Sequence, residues 1–243
     1  MVANIEIHKI SEIKGKNPVL VLGFPGVGLV GSVAGSQMVD ALSMEFVGYV
    51  TSPTFAPLAA IHDYIPLPPV RIHYSPKYNV VLLLSEMSIP TSTISDLADK
   101  VFEFAHTIDA SYVVSLGGIS LKDDENAVYV VASDKKISKN LLAKKLVKPI
   151  KEGATTGVIG ILLAKGAIEN FPVVSLLGEA AEDGLDPKAS SNVLRVLSQM
   201  LNVSISTNML DKEAKEISKA IKDSVIKSKI RRADESTPGS MYG

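Results

Sequence analysis

Gly26, Gly28 and Gly31, in the stretch LGFPGVGLVGSVAG (residues 22–35), fall at the spacing GxGxxG. In a dinucleotide-binding unit that spacing turns the chain sharply and lets backbone N–H groups approach a pyrophosphate, while an acid at the end of the second strand holds the ribose. The second strand here reads MEFVGYVTS; its single acid, Glu45, stands near its start, and its far end offers Thr51 and Ser52. A Walker-type loop would need a lysine after its last glycine, yet no Lys or Arg lies between Lys16 and Arg71. A plainer reading is steric. Gly28, Gly31 and Gly35 recur at three and four residues, which gives a helix a smooth face for a sheet or a neighbouring subunit.

Acids that could work as general acid, general base or metal ligand stand where open α/β sheets place their sites, at strand ends: Glu86 after VVLLLS, Asp134 after VYVVAS and Glu179 after PVVSLLG, with Glu182 and Asp183 close by. No nucleophile or substrate clamp accompanies them. His8, His62, His73 and His106 show no HxxxH or HExxH spacing and read as surface or hairpin residues, and there is no GxSxG elbow. With no cysteine, the chain has no disulfide, thiolate nucleophile or thiolate metal site. The residues therefore assign no catalytic site, no metal and no cofactor.

The elements that would position these residues follow from the apolar pattern. Strands are predicted at 18–24, 45–51, 79–86, 111–116, 127–132 and 172–177, and the unbroken Val, Ile and Leu runs mark them as buried on both faces. Helices are predicted at 27–42, 91–106, 138–147, 157–169 and 187–201, the last with Asp186 as N-cap and Pro187 in its first turn. This alternation predicts an α/β fold: a mostly parallel sheet with helices on both faces. Six prolines between Pro53 and Pro76 interrupt it, and the pieces 58–64 and 70–74 around IPLPP are predicted to form a projecting antiparallel hairpin.

A last helix over 209–232 would carry Leu210, Ala214, Ile217, Ile221 and Val225 on one face, followed by the polar, proline-broken segment 233–243. The predicted organisation is thus an α/β domain at 1–208, a C-terminal helix at 209–232 and a flexible tail at 233–243. A net charge of -1, with 25 basic against 26 acidic residues, predicts neither nucleic-acid nor membrane binding. The apolar window 157–164 is halted by Lys165, too short to span a bilayer, so a soluble cytoplasmic protein is expected.

The order of GFPGVGLVGSVAG, the proline-flanked hairpin, VVLLLSEMSIP, VVSLGG and the run from Thr155 to Leu197 resembles the proteasome assembly chaperone family across nearly the whole chain, its archaeal members most of all. The resemblance implies a fold similar to purine nucleoside phosphorylases without an established enzymatic activity, a homo-oligomer, and a part in forming the proteasomal α-ring, and the expectation drawn from it is an ATP-independent protein that binds the α-ring of the core proteasome. A phosphorylase would need phosphate-binding arginines; Arg71, Arg195, Arg231 and Arg232 are the four present, two of them close to the C-terminus.

The C-terminal residues Met241, Tyr242 and Gly243 match the hydrophobic-Tyr-any ending that proteasome activators insert between α subunits. Met241 would fill an apolar wall, Tyr242 would supply a stiff ring and a hydroxyl, and the free carboxylate of Gly243 would make a charge-assisted bond. Seven tyrosines in 243 residues and 46% apolar positions make a chance match about 1 in 75. Extended, the tail from Ala233 would reach about 35–40 Å. An oligomer presenting several such tails would gain avidity of about 10²-fold or more. The alternative reading is an enzyme acting on a nucleoside or nucleotide, with Glu86, Asp134 or Glu179 as acid or base.

Overall fold

The computed structural model describes residues 4–182, 184–217 and 219. In chain order the elements are β1 (Glu6–Lys9), β2 (Val19–Gly23), α1 (Val30–Ala41), β3 (Glu45–Thr51), β4 (Ala60–His62), β5 (Ile65–Leu67), β6 (Val70–Ser75), β7 (Val80–Ser85), α2 (Ile94–Thr107) and β8 (Tyr112–Ile119). They continue with β9 (Val128–Ala132), α3 (Lys135–Ala143), β10 (Lys148–Pro149), α4 (Gly157–Glu169), β11 (Val173–Glu179) and α5 (Pro187–Leu201). Residues 208–217 are also helical.

Nine strands make one sheet in the order β1-β3-β6-β7-β2-β8-β11-β9-β10, and β4 and β5 make a separate two-stranded sheet. The central strands β7, β2, β8 and β11 run parallel. Antiparallel ladders flank them, β1–β3, β3–β6 and β6–β7 on one side and β11–β9 on the other. The difference follows from the connections. A parallel neighbour next in the chain needs a crossover, as α3 provides between β9 and β10, whereas the antiparallel β6 reaches β7 by a turn alone.

Two apolar layers cover the sheet. On one face Val21, Leu82, Leu84, Val114 and Leu116 meet Val30, Ala34 and Met38 of α1 and Val193, Leu194 and Leu197 of α5. On the other, Leu20, Leu22, Leu83 and Val113 meet Leu97, Val101 and Phe102 of α2 and Val158 and Leu162 of α4. Strand residues alternate between the layers, so each central strand is apolar throughout, and each such leucine stabilises the fold by roughly 2–3 kcal/mol.

Five of the expected helices and the six long strands are present, with local differences. The helix expected at 138–147 is α3, which begins earlier because Asp134 caps it, its side chain accepting from the Lys136 N–H at 2.7 Å. Past Lys145, at φ 56°, the chain leaves the helix and Lys148–Pro149 forms β10. The projecting hairpin is β4 with β5, joined by Asp63 and Tyr64, both at positive φ, as a two-residue turn of primed type demands. Residues 65–67, expected in the loop, form its second strand, and the segment 70–74 belongs to the main sheet as β6. The C-terminal helix is described over 208–217, where Leu210 is buried and Ala214 and Ile217 are half-buried, in keeping with the expected stripe. Its continuation beyond residue 219 and the tail lie outside the described residues.

Candidate functional site

Strand direction separates the three strand-end acids. Glu86 follows β7 and Glu179 closes β11 at the same edge of the sheet, but β2 and β8 lie between them, three strand spacings or about 14 Å. Asp134 follows β9, which runs antiparallel to β11, so it stands at the opposite edge. No shared acid/base site forms from them. Each acid has a structural task instead. Asp134 caps α3. Glu179 accepts from the backbone N–H groups of Leu121 and Lys122 at 2.9 and 2.8 Å through Oε1, pinning the loop after β8, while its Oε2 is buried without a partner among the described residues. Asp186 accepts from the N–H of Ala189 at 2.9 Å and of Ala181 at 3.1 Å. Among the described residues no group of three or more His, Asp or Glu could hold a metal ion.

Glu86 is the centre of a polar cluster at the root of the hairpin. The β6–β7 register sets Arg71 opposite Leu84 and Val70 opposite Ser85, and the Glu86 N–H donates to the carbonyl of Pro69 at 2.9 Å. The guanidinium of Arg71 grips the carboxylate with Nη2 at 2.9 Å and Nη1 at 3.2 Å, and His62 Nε2 closes from the hairpin at 2.9 Å. Arg71 Nη1 also donates to the carbonyl of Pro68 at 3.1 Å. Burial by itself would raise the Glu86 carboxyl, but the hydrogen bonds from Arg71 and His62 outweigh it and hold it below the usual carboxylate range. The cluster ties β6, β7 and the hairpin into one unit. The sequence does signal it: Arg71 is the one charge in the strand VRIHYS.

His73, on the same face of β6 two residues on, is neither the surface nor the hairpin residue expected. It is 6% exposed, its ring lies 5.8 Å from that of Phe46, and neither nitrogen has a partner among the described residues. Burial, with the nearby Arg71 charge, lowers its pKa to about 4. A histidine held neutral in the fold leaves the unfolded chain to take the proton first. The associated stability is whole above pH 6.5 and is lost as pH falls from there toward about 4, by up to about 3 kcal/mol. Urea midpoints measured from pH 7 to pH 4 should therefore drop more steeply for the natural chain than for His73→Phe, and parallel slopes would refute the assignment.

Gly28 and Gly31 of the glycine spacing, and Gly35 beyond them, pack closely against protein. Gly28 has φ +61°, and a Cβ there would lie 2.9 Å from Ala180 Cβ and 3.0 Å from Asp186 Cβ. A Cβ on Gly31 would lie 2.4 Å from the carbonyl oxygens of both Leu116 and Phe24, and one on Gly35 would lie 2.8 Å from Leu84 Cδ1. Of the two partners the spacing allowed, the glycine face of α1 thus meets the sheet rather than a neighbouring subunit. Residues 27–29 form a 3-10 turn, and α1 begins only at Val30 because Gly28 and Leu29 adopt left-handed conformations. The two described arginines are likewise engaged: Arg71 with Glu86, and Arg195 with Asp211 at 2.6 Å and Asn192 at 3.1 Å. Arg231, Arg232, Asp183 and the tail residues Met241, Tyr242 and Gly243 lie outside the described residues.

This fold has solved counterparts, and the PAC2 family profile matches residues 20–225. The chain belongs to the PAC2 family. A Methanocaldococcus jannaschii protein is 31% identical over 223 residues, 92% of each chain. Pyrococcus furiosus PbaA, described as an archaeal homolog of proteasome-assembly chaperone, superposes with a TM-score of 0.81 at 28% identity over 98% of this chain and 99% of its own. Pyrococcus furiosus PbaB, described as an archaeal proteasome activator, shares the fold with a TM-score of 0.79 at 21% identity over 92% and 99% of the two chains. Among the described residues, no helix of this PAC2 protein is long and apolar enough to cross a membrane.

Proposed function

We propose that this PAC2 protein is an ATP-independent proteasome-binding chaperone or activator, a homo-oligomer that docks on the α-ring of the core proteasome through Met241, Tyr242 and Gly243. The terminal tripeptide is the observation that carries the reading, because each of its parts has a task in an inter-subunit pocket and because PbaA, which this chain resembles over nearly its full length, is described as a homolog of a proteasome-assembly chaperone. Two further observations support it. The strand-end acids are committed to a cap, a loop and an ion pair, and Gly28 and Gly31 of the glycine spacing pack against protein side chains and carbonyls.

Capture of core proteasome by the full chain and by a chain ending at Ser240 tests it. Loss of the last three residues should reduce capture by about 10²-fold or more if several tails engage together, and equal capture would reject the tail. The enzymatic alternative draws on Glu179 Oε2, which is buried without a partner among the described residues. It predicts a melting temperature raised by a nucleoside, a nucleotide or phosphate, since a ligand that binds only the folded state stabilises it.

A further inference from the structure

Three loops meet at the edge of the sheet where β2, β8 and β11 end. The loop after β11 is stitched to the other two: the Asp186 N–H donates to the Gly28 carbonyl at 2.9 Å, the Ala180 N–H donates to the Ile119 carbonyl at 2.8 Å, and Glu179 accepts from Leu121 and Lys122. On this joined surface Leu29, Leu121 and Leu185 are 42%, 50% and 39% exposed. The described residues of 121–126 and 179–186 include six carboxylates, Glu125 and Glu182 among the exposed ones, which Lys122, Lys148 and Lys188 balance only in part. The edge is both apolar and acidic.

The C-terminal helix climbs toward it. After α5 the chain turns at Asn202, with φ 53°, and runs back along that helix: the Ile205 N–H donates to Ser198 Oγ at 3.4 Å, and Asp211 accepts from the Ser191 hydroxyl at 2.8 Å and from Arg195 at 2.6 Å. The residues from Asp211 to Ile217 advance about 9 Å more, which brings Ile217 level with the start of α5, just after Leu185. The segment that follows, 220–232, reads AIKDSVIKSKIRR, five cations against one acid, with Ile221, Val225, Ile226 and Ile230 between them. It is the electrostatic complement of the edge and shares its apolar character. We infer that residues 220–232 lie across the β2–β8–β11 edge of their own chain, with their apolar residues on Leu29, Leu121 and Leu185 and their cations toward Glu125 and Glu182. The segment begins where the helix reaches this edge, so it meets that surface at a far higher effective concentration than it meets the same surface of a second copy. Seated there, it sets the point from which 233–243 leaves the body, on the edge that also carries the hairpin. That consequence for the tail rests on the proposed function; the contact itself does not.

Because the chain has no native cysteine, a single nitroxide can be attached at Ser228→Cys in the full chain. Relative to the reduced label, the methyl signals of Leu29, Leu121 and Leu185 should lose most of their intensity. The signal of Ile168, 80% exposed at the end of α4 and so at the opposite edge, should keep its own. Lys227→Glu, Lys229→Glu and Arg231→Glu together should return the leucine signals to at least about half of the reduced-label intensity, and adding Glu125→Lys with Glu182→Lys, both on exposed positions, should abolish them again. A mixture of nitroxide-labelled, unenriched chain with unlabelled, methyl-enriched chain should leave the leucines sharp. Broadening in that mixture would mean that a second copy's segment occupies the edge and would overturn the inference, as would sharp leucine signals in the labelled chain, broadening that includes Ile168, or charge exchanges without effect. Proteasome capture by the chain ending at Ser240 is read separately, so a failed contact leaves the tail standing and a failed tail leaves the contact.

Discussion

Glu86→Leu should lower the stability of the fold by about 3–5 kcal/mol, the range for removing one partner of a buried ion pair. The reason lies with the partner left behind. The Arg71 side chain is 4% exposed, and with Glu86 gone its guanidinium would keep, among the described residues, the Pro68 carbonyl and His62 Nε2 as hydrogen-bond partners while still carrying a full charge. Arg71→Leu with Glu86→Leu removes both charges and should recover most of that loss, because a desolvated ion pair is worth little more than apolar residues of similar size. Urea unfolding of the two single variants and the double variant yields the coupling directly. A Glu86→Leu chain as stable as the natural one would show that the cluster does not hold the hairpin to the sheet.

Gly31→Ala should destabilise at or above the top of the usual range of about 1–3 kcal/mol for overpacking. A methyl group there meets two backbone carbonyls at 2.4 Å, one from β8 and one from the residue after β2, and neither can rotate away as a side chain could. Relief requires α1 to lift from the sheet, which would open the contact between its buried face and Leu84 and Leu116. Gly26→Ala is the internal control, since a Cβ there has nothing within 4 Å. Equal thermal midpoints for Gly31→Ala and the natural chain would mean that the helix does not approach the sheet this closely, and would return the glycines to a ligand-binding reading.

The two substitutions mark how far the sequence could be followed. Strands such as VVLLLS and helices such as 157–169 and 187–201 were legible because local rules set them: unbroken apolar runs for strands buried on both faces, Asp186 with Pro187 for a helix start. The glycine spacing was legible as close packing on one side of a helix, though not which surface would receive it. Arg71 stands out in the sequence as the one charge in its strand, but its partner does not, because Glu86 is fifteen residues away and meets it through a β6–β7 register that no local pattern prints.

By itself, then, the sequence determined the alternation of elements, the two-faced burial of the central strands, the hairpin's existence and the terminal tripeptide, all consequences of periodicity, capping and residue type within a few positions. Tertiary structure alone decided that Asp134 stands across the sheet from Glu86 and Glu179, and that His73 is buried. The physical reason is strand direction. Whether a strand enters parallel or antiparallel depends on which neighbour it pairs with across long stretches of chain, and that pairing, rather than any local propensity, fixes the edge at which each functional side chain emerges.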